Sequence, residues 1–267
     1  MMIRKVEILM RVMTFNLRAD NLLDRRNRWK QRSTIVYELI RKYDCDIVGL
    51  QEVTNPMEED LKNNIRGYHH IGVSRTNRFF MERNTVLIKR QYDVLHSKTF
   101  WLSKRPEKSG SGMWHALFPR ICTRVIYKLN GQDKICVYNT HLDCLSPVAR
   151  RYGLKVILSD IDTCLKREKM PCILTGDFNA RPNSQVMKQF RREAYELNGL
   201  RAVQDIRPEI YKNTTMGGFK ERDEGMHIDY IFVSQEFDIL NAQIIRYNQN
   251  GKFPSDHYPI MAELRLR

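Results

Sequence analysis

The sequence predicts an α/β chain of the α+β type, with two mixed β-sheets packed together and helices outside. Short β-rich apolar runs recur along its 267 residues, separated by helical or turn-rich stretches. Asn130-Gly131 joins two such runs, RICTRVIYKL and KICVYNTHL, a hairpin signal that demands an antiparallel pair. The order of strands and helices is also too irregular for a doubly wound parallel sheet.

VMTF (12–15) reads as the first strand. Ser33-Thr34 is expected to cap a helix running to Tyr43, with Ile35, Leu39 and Ile40 on one face. DIVGL (46–50) is a buried strand, and Asn55-Pro56 opens a short helix whose Glu58 and Glu59 suit its first turn. Beyond Gly67 the pattern is strand-like through YHHIGV, NTVLIKR and the stretch ending at Trp101. Residues 103–119, with Lys, Arg, Pro, Ser and Gly, form a long loop before the hairpin. The longest helix is expected over 147–168, where Pro147 sits near the start and Val148, Leu154, Ile157, Leu158, Ile161 and Leu165 form a stripe. CILTG (172–176) is a strand and SQVMKQFRREAY a helix; IDYIFV, ILNAQIIRY and HYPIMAEL are strands. With no linker, repeat or low-complexity tract, one domain over residues 1–267 is expected.

The composition, 42% hydrophobic, is enough for one large core. Forty-five basic against 31 acidic residues give a net charge of +14, which favours anionic partners: nucleic acid, phosphorylated small molecules or acidic headgroups. DRRNRWKQR (24–32), ARR (149–151) and FRRE (190–193) would suit a nucleic-acid backbone track, with Trp29, Trp101 and Trp114 available for stacking. The six cysteines include no C-x-x-C pair and mostly lie in apolar runs, which fits a reducing, cytoplasmic compartment. Lys5, Glu7 and Arg11 interrupt the apolar N-terminal stretch, so it reads neither as a signal peptide nor as a membrane span.

Polar residues recur at strand boundaries: Asn16; Gln51 and Glu52; His141 and Asp143; Asp177 and Asn179; His227 and Asp229; Asp256 and His257. A lone Asn or Asp after a strand is usually a turn residue. Core packing, however, does not call for the whole set, and packed sheets that gather these ends would build a cluster of carboxylates, amides and imidazoles. Phosphoester hydrolysis needs such a cluster. Glu52, with Asn16 nearby, is suited to a hard divalent cation. His257, held by a second carboxylate, is a candidate base for water. Asp177 and Asn179 are candidates to orient water and phosphate, and His141 to donate to the phosphate. No G-x-S-x-G or cysteine nucleophile signature is present.

In order, TFNLR, GLQE, NTHLD, GDFN, HIDYIFV and SDHYP resemble the motifs of the endonuclease/exonuclease/phosphatase superfamily, the deoxyribonuclease I-like fold, across residues 12–264. The resemblance implies a four-layer sandwich, two mixed β-sheets flanked by helices, and Mg2+ or Mn2+ as cofactor. By matching motif, Asn16 and Glu52 are the metal-site pair, and Asp256 is a further metal-site carboxylate. Asp177 and Asn179 position water and phosphate. Asp229 orients the catalytic His257, and His141 contacts phosphate.

FPRICTR resembles a bacterial subgroup of uncertain substrate that includes phosphosugar-phosphatase-like proteins. Arg120 would then clamp phosphate, the task of a planar bidentate donor, unless it is a surface Arg at a strand start. Glu82 and Asn84 are further candidates for the pocket lining. TTMGGF (214–219) is either a Gly-rich loop at the pocket mouth or a plain surface turn. The substrate expectation is a small phosphorylated metabolite or phosphodiester. The alternatives are DNA or RNA cleavage on the basic surface, and a catalytically silent binding module, which the full motif set disfavours.

Overall fold

The structure, a computed structural model, describes residues 8–77, 81–129, 131 and 133–267. Two six-stranded mixed sheets make up its centre. In chain order the strands of the first are β1 (Ile8–Asn16), β2 (Ile47–Val53), β3 (Tyr68–Ile71), β4 (Arg83–Lys89), β11 (Phe237–Ile244) and β12 (Ile260–Leu266), ordered across the sheet β11-β12-β1-β2-β4-β3. The second contains β5 (Asp93–Trp101), β6 (Ile121–Lys128), β7 (Lys134–His141), β8 (Cys172–Asp177), β9 (Arg201–Ala202) and β10 (Asp229–Val233), ordered β5-β6-β7-β8-β10-β9. Helices α1 (Trp29–Tyr43) and α2 (Asn55–Asn64) accompany the first sheet, and α3 (Pro147–Arg167) and α4 (Gln185–Asn198) the second.

The two-residue period of a strand sends alternate side chains to opposite faces, and this sorts the layers. Val12, Ile47, Val86, Val125, Val137, Ile173 and Ile231 form one apolar cluster between the sheets. Met13, Phe15, Val48 and Leu50 pack outward with Val36, Leu39 and Leu61 of α1 and α2. On the far side, Tyr138, Leu174 and Phe232 pack with Leu154, Ile157, Met187 and Phe190 of α3 and α4. These layers are the four-layer sandwich the sequence motifs implied.

Several boundaries moved. α1 begins at Trp29, not at Ser33-Thr34, because Asp20 accepts the Trp29 N–H (2.9 Å) and provides the stop that the two hydroxyls were expected to supply. Short 3-10 turns at Leu22–Asn27, Val203–Ile206 and Pro208–Lys212, and the two-residue β9, carried no period to read. β6 and β7 pair antiparallel from Cys122↔Thr140 to Lys128↔Lys134. Asn130 of the expected Asn-Gly turn lies outside the described residues. Among the described residues no helix is long and apolar enough to cross a membrane.

A buried polar bridge fixes how the two sheets meet. The Asn139 side chain on β7 donates to the carbonyls of Leu50 (2.8 Å) and Thr85 (3.0 Å) in the opposite sheet, and its oxygen accepts from Gln51 Nε2 (2.7 Å). The sheets come so close here that a Cβ on Gly49 would lie 2.1 Å from Thr175 Oγ1. A buried polar network of this kind specifies one arrangement of the layers, which apolar packing alone does not.

Candidate active site

Strand register assembles the centre. β7 and β8 are parallel with His141 beside Asp177, and β8 and β10 are antiparallel with Asp177 beside Asp229. One row across the second sheet therefore carries His141, Asp177 and Asp229. In the opposite sheet β1 and β2 are parallel with Asn16 beside Gln51, and the β2–β4 register is irregular between Leu50 and Val53. Glu52 sits in that irregularity in the left-handed region (φ 58°), which turns its side chain off the ordinary strand alternation.

The two rows meet. The Asn16 amide nitrogen donates to Glu52 Oε1 and to Asp177 Oδ2, both at 3.0 Å, and so links the sheets across the site. Glu52 Oε2 accepts the Ala19 N–H (2.9 Å). Asp177 Oδ1 accepts the Asn179 N–H (2.8 Å), and its Oδ2 lies 3.6 Å from His141 Nε2 and 3.9 Å from His257 Nε2. The Asn179 amide reaches His141 Nε2 (3.0 Å) and the Leu142 carbonyl (3.1 Å). Asp256 lies 3.8 Å from the Arg18 guanidinium.

At the other end His257 Nδ1 and Asp229 Oδ2 are 2.9 Å apart. A hydrogen bond there puts the Nδ1 proton toward Asp229 and directs Nε2 at Asp177. The TTMGGF segment is not a plain surface turn. Gly217 and Gly218 donate their N–H groups to the Asp256 carbonyl (2.7 and 2.9 Å), and Tyr258 N–H donates to the Thr215 carbonyl (2.7 Å). Thr215 Oγ1 also accepts the N–H groups of Ile228 and Asp229 (3.0 and 3.3 Å). A Cβ at Gly217 would lie 2.5 Å from the Tyr258 ring, so glycine is required for this close clamp.

The electrostatics show a centre crowded with negative charge. Burial and the neighbouring Asp229 push the Asp177 pKa up from 3.8 to about 7. Burial raises that of Asp256, with Glu52 adding to the rise. Burial also opposes ionisation of Glu52, but the Ala19 N–H, the Asn16 amide and the charged His257 outweigh it and hold its pKa below the usual carboxylate range. His141 itself is kept neutral by burial and by the like charge of Arg120. For His257, burial works against the charged form, and Asp229, Asp256 and Asp177 overcome it, raising its pKa well above the usual value.

Oxygen donors under mutual repulsion are what a hard divalent cation relieves, so the residue set fits Mg2+ or Mn2+. Ligand atoms of Asp177, Asp229 and His257 also lie within 4.8 Å of one another. Of these, Asp229 Oδ2 is already engaged by the imidazole. Glu52 and Asp256 keep oxygens that are not committed in this way.

The rim places the remaining candidates. Arg120 is buried 3.6 Å from Asp143, with Nη2 3.7 Å from the Cys144 sulfur. The Glu82 carboxylate is paired with Arg75 through two 3.1 Å contacts. The Asn84 amide donates to the Ile121 carbonyl (2.8 Å), tying β4 to the start of β6 beside Arg120. His227, a strand-entry residue, is buried against Gln204 and the Asn213 carbonyl. Sequence reasoning did not single out Arg75, Asn139 or Thr215. Only the residue types were visible, because their partners are more than a turn away in sequence.

Much of the basic sequence is also structural. Arg32 is buried and donates to the carbonyls of Leu17, Arg18 and Pro254. Arg28 pairs with Asp20, Arg191 with Asp205, and Arg150 donates to the Asp143 carbonyl. Trp29 and Trp101 are buried; Trp114 alone of the three is exposed, at 86%.

The family model described as the Endonuclease/Exonuclease/phosphatase family matches residues 13–257. A family protein from Bacteroides thetaiotaomicron is similar in structure, with a TM-score of 0.88 at 26% identity, covering 98% of this chain and 100% of that one. So is a mannosyl-6-phosphatase from the same organism, with a TM-score of 0.85 at 27% identity and coverage of 96% and 99%. Rat nocturnin is 24% identical over 289 aligned positions that take in 93% of this chain; the chain spans 63% of that curated relative's length. The two sheets, their strand-end motifs and the match over residues 13–257 agree: the chain belongs to the endonuclease/exonuclease/phosphatase family of phosphoester hydrolases.

Proposed function

We infer that the protein is a Mg2+- or Mn2+-dependent hydrolase in which His257, with Asp229, activates water for attack on phosphorus, and that its substrate is a small phosphorylated metabolite or phosphodiester. One observation carries this reading: the His257–Asp229 pair at 2.9 Å turns its second ring nitrogen toward Asp177, on the strand beside the row that leads to Glu52. Glu52 and Asp256, with Asn16 beside them, would hold the ion. Once bound, the ion would polarise a phosphoryl oxygen and support the leaving oxygen. His257, freed of its proton once the ion's charge offsets the surrounding carboxylates, would take the proton from water at Nε2, while Asp229 keeps the ring in that tautomer and stabilises the imidazolium. Asp177 and Asn179 would orient the water and phosphate, and neutral His141 would donate to a phosphate oxygen. Arg120 would grip the phosphate, with Glu82 and Asn84 holding the rim around it. The mannosyl-6-phosphatase likeness supports a small phosphorylated substrate. Six free thiols, five of them buried, suit a reducing, cytoplasmic setting.

The +14 charge favours a second reading, cleavage of DNA or RNA. The internal pairing of Arg28, Arg32, Arg150 and Arg191 weakens it, since those charges are already spent within the fold. The test is a turnover panel of phosphosugars, nucleotides, single- and double-stranded DNA and RNA, with Mg2+ or Mn2+ at two salt concentrations. Metal-dependent turnover of small phosphoesters supports the first reading. Turnover confined to polymers, with steep salt dependence, replaces it with the second. No metal-dependent turnover on any substrate defeats both.

A further inference from the structure

The wall opposite the His257 end holds two buried guanidiniums, and their protein partners leave them differently engaged. Arg75 is pinned on every side. Glu82 meets its guanidinium through two 3.1 Å contacts, and Phe118 lies beneath it at 4.6 Å from the ring centre. Its backbone N–H donates to the Glu82 carbonyl (3.0 Å), and its carbonyl accepts from Trp101 Nε1 (2.8 Å). A guanidinium held in this way loses little freedom when it meets an anion.

Arg120 has far more donor capacity to spare. Its nearest carboxylate, Asp143, already accepts the backbone N–H groups of Leu117, Leu145 and Ser146, and lies 3.6 Å from Arg120 Nε. The only hydrogen bond found for the Arg120 side chain among the described residues is the 3.7 Å contact to Cys144 sulfur.

Trp101 and Leu102, neighbours in sequence, bring the two residues together: the Trp101 indole donates to the Arg75 carbonyl and the Leu102 N–H to the Arg120 carbonyl, both at 2.8 Å. Burial lowers the Arg75 pKa, Glu82 opposes this, and the like charge of Arg120 adds to the lowering. The same two cations disfavour the charged form of His141. Glu82 offsets the Arg75 charge, whereas Asp143 is already committed to three backbone N–H groups, so Arg120 is the buried cation that a concentrated negative charge would relieve. The wall is also closed: Arg75, Arg120 and His141 are each only 5–8% exposed, and Asp143 is 1% exposed.

We propose that Arg75 and Arg120 together form the subsite for the dianionic head of a phosphate monoester, so that a terminal phosphate, and not one inside a diester chain, occupies the centre. A monoester offers three non-bridging oxygens sharing two negative charges; a diester offers two oxygens and one charge. Arg120, its fork nearly unengaged, and the Arg75 cation, whose Nε has no partner among the described residues, match the first, and charge-assisted hydrogen bonds supply the selectivity. This assignment rests on the hydrolase reading above and narrows it to monoesters.

The test is calorimetric binding, in Mg2+ buffer at alkaline pH, of phenylphosphonate as the dianion and of methyl(phenyl)phosphinate as the monoanion. Both attach their organic groups only through phosphorus–carbon bonds and carry no ester, so turnover plays no part. The expected result is at least about tenfold tighter binding of the dianion to the wild-type chain, on the scale of one charge-assisted hydrogen bond. Arg75→Gln and Arg120→Gln should each reduce that ratio severalfold. Arg75→Lys keeps the charge without the fork, and serves if the glutamine variant fails to fold; it should give an intermediate ratio. A wild-type ratio near one, or a ratio unchanged in the Arg75 variants, overturns the proposal. A dianion-selective protein that turns over no phosphoester leaves this subsite standing and defeats the hydrolase reading; an active hydrolase with no selectivity does the reverse.

Discussion

The base end and the guanidinium wall are built in opposite ways. Around His257, backbone hydrogen bonds do the holding: Gly217, Gly218 and Tyr258 lock the segment to the TTMGGF loop, and Thr215 ties that loop to the start of β10. Around Arg75 and Arg120, side chains do it, through an ion pair, a ring contact and a sulfur contact. Backbone clamps fix an atom to within a fraction of an ångström and tolerate little change in residue type. Side-chain clamps can be re-drawn by single substitutions. The residues proposed for proton transfer sit on the first kind of scaffold, and those proposed for phosphate recognition on the second.

The sharpest test of that contrast is His257→Ala. It should lower kcat by about 10²–10⁴-fold with the fold intact, since proton transfer is worth roughly that much. Steady-state kinetics with Mg2+ and a small phosphoester checks it, and near-wild-type turnover would remove His257 from the base role. Thr215→Val comes next. It strands two buried N–H groups and should cost ~1–3 kcal/mol of stability, together with a clear loss of kcat. Denaturant unfolding alongside kinetics would show whether the clamp matters; an unchanged midpoint would mean that it does not.

A smaller effect, of opposite sign, is expected at Asp177. Its folded pKa of about 7 lies above the 3.8 of an ordinary Asp. Between about pH 4 and 7 the folded state therefore retains a proton that the unfolded chain has released, and stability falls as pH rises through that window. In metal-free buffer Asp177→Asn should melt a few degrees above wild type near pH ~8 and with it near pH ~4, while losing activity. A variant less stable than wild type at the higher pH would contradict the crowding of carboxylates described above. The smallest effect belongs to the rim: Trp114, at 86% exposure, should change stability by less than ~0.5 kcal/mol on substitution by Ala. Any change should appear in KM rather than kcat, and a large fall in kcat would place Trp114 in the chemistry instead of at its edge.

Much of the architecture was legible before any coordinate. Each apolar run that defined a strand reported its own period, so β2, β7, β8 and β10 fell close to where they were read. The motif residues Asn16, Glu52, Asp177, Asn179, Asp229 and His257 stood out because they interrupt that period at strand ends. The start of α1 was misread because its stop signal, Asp20, acts from a loop nine residues away. TTMGGF was ambiguous because a glycine pair looks the same in a free turn and in a backbone clamp. The basic stretches looked like one surface until Arg32 proved to be buried.

The sequence by itself determined which residues form strands, which of them end in polar groups, and therefore the kind of chemistry the chain carries. Periodicity and motif order are local properties, written in consecutive residues. The tertiary structure decided what those groups do to one another: that Asn16 links Glu52 to Asp177, that Asn139 sets the spacing of the sheets, and that Trp101 and Leu102 bring Arg75 and Arg120 together. Those contacts run between distant segments and across two sheets. Register and layer packing fix them, and no local pattern records either.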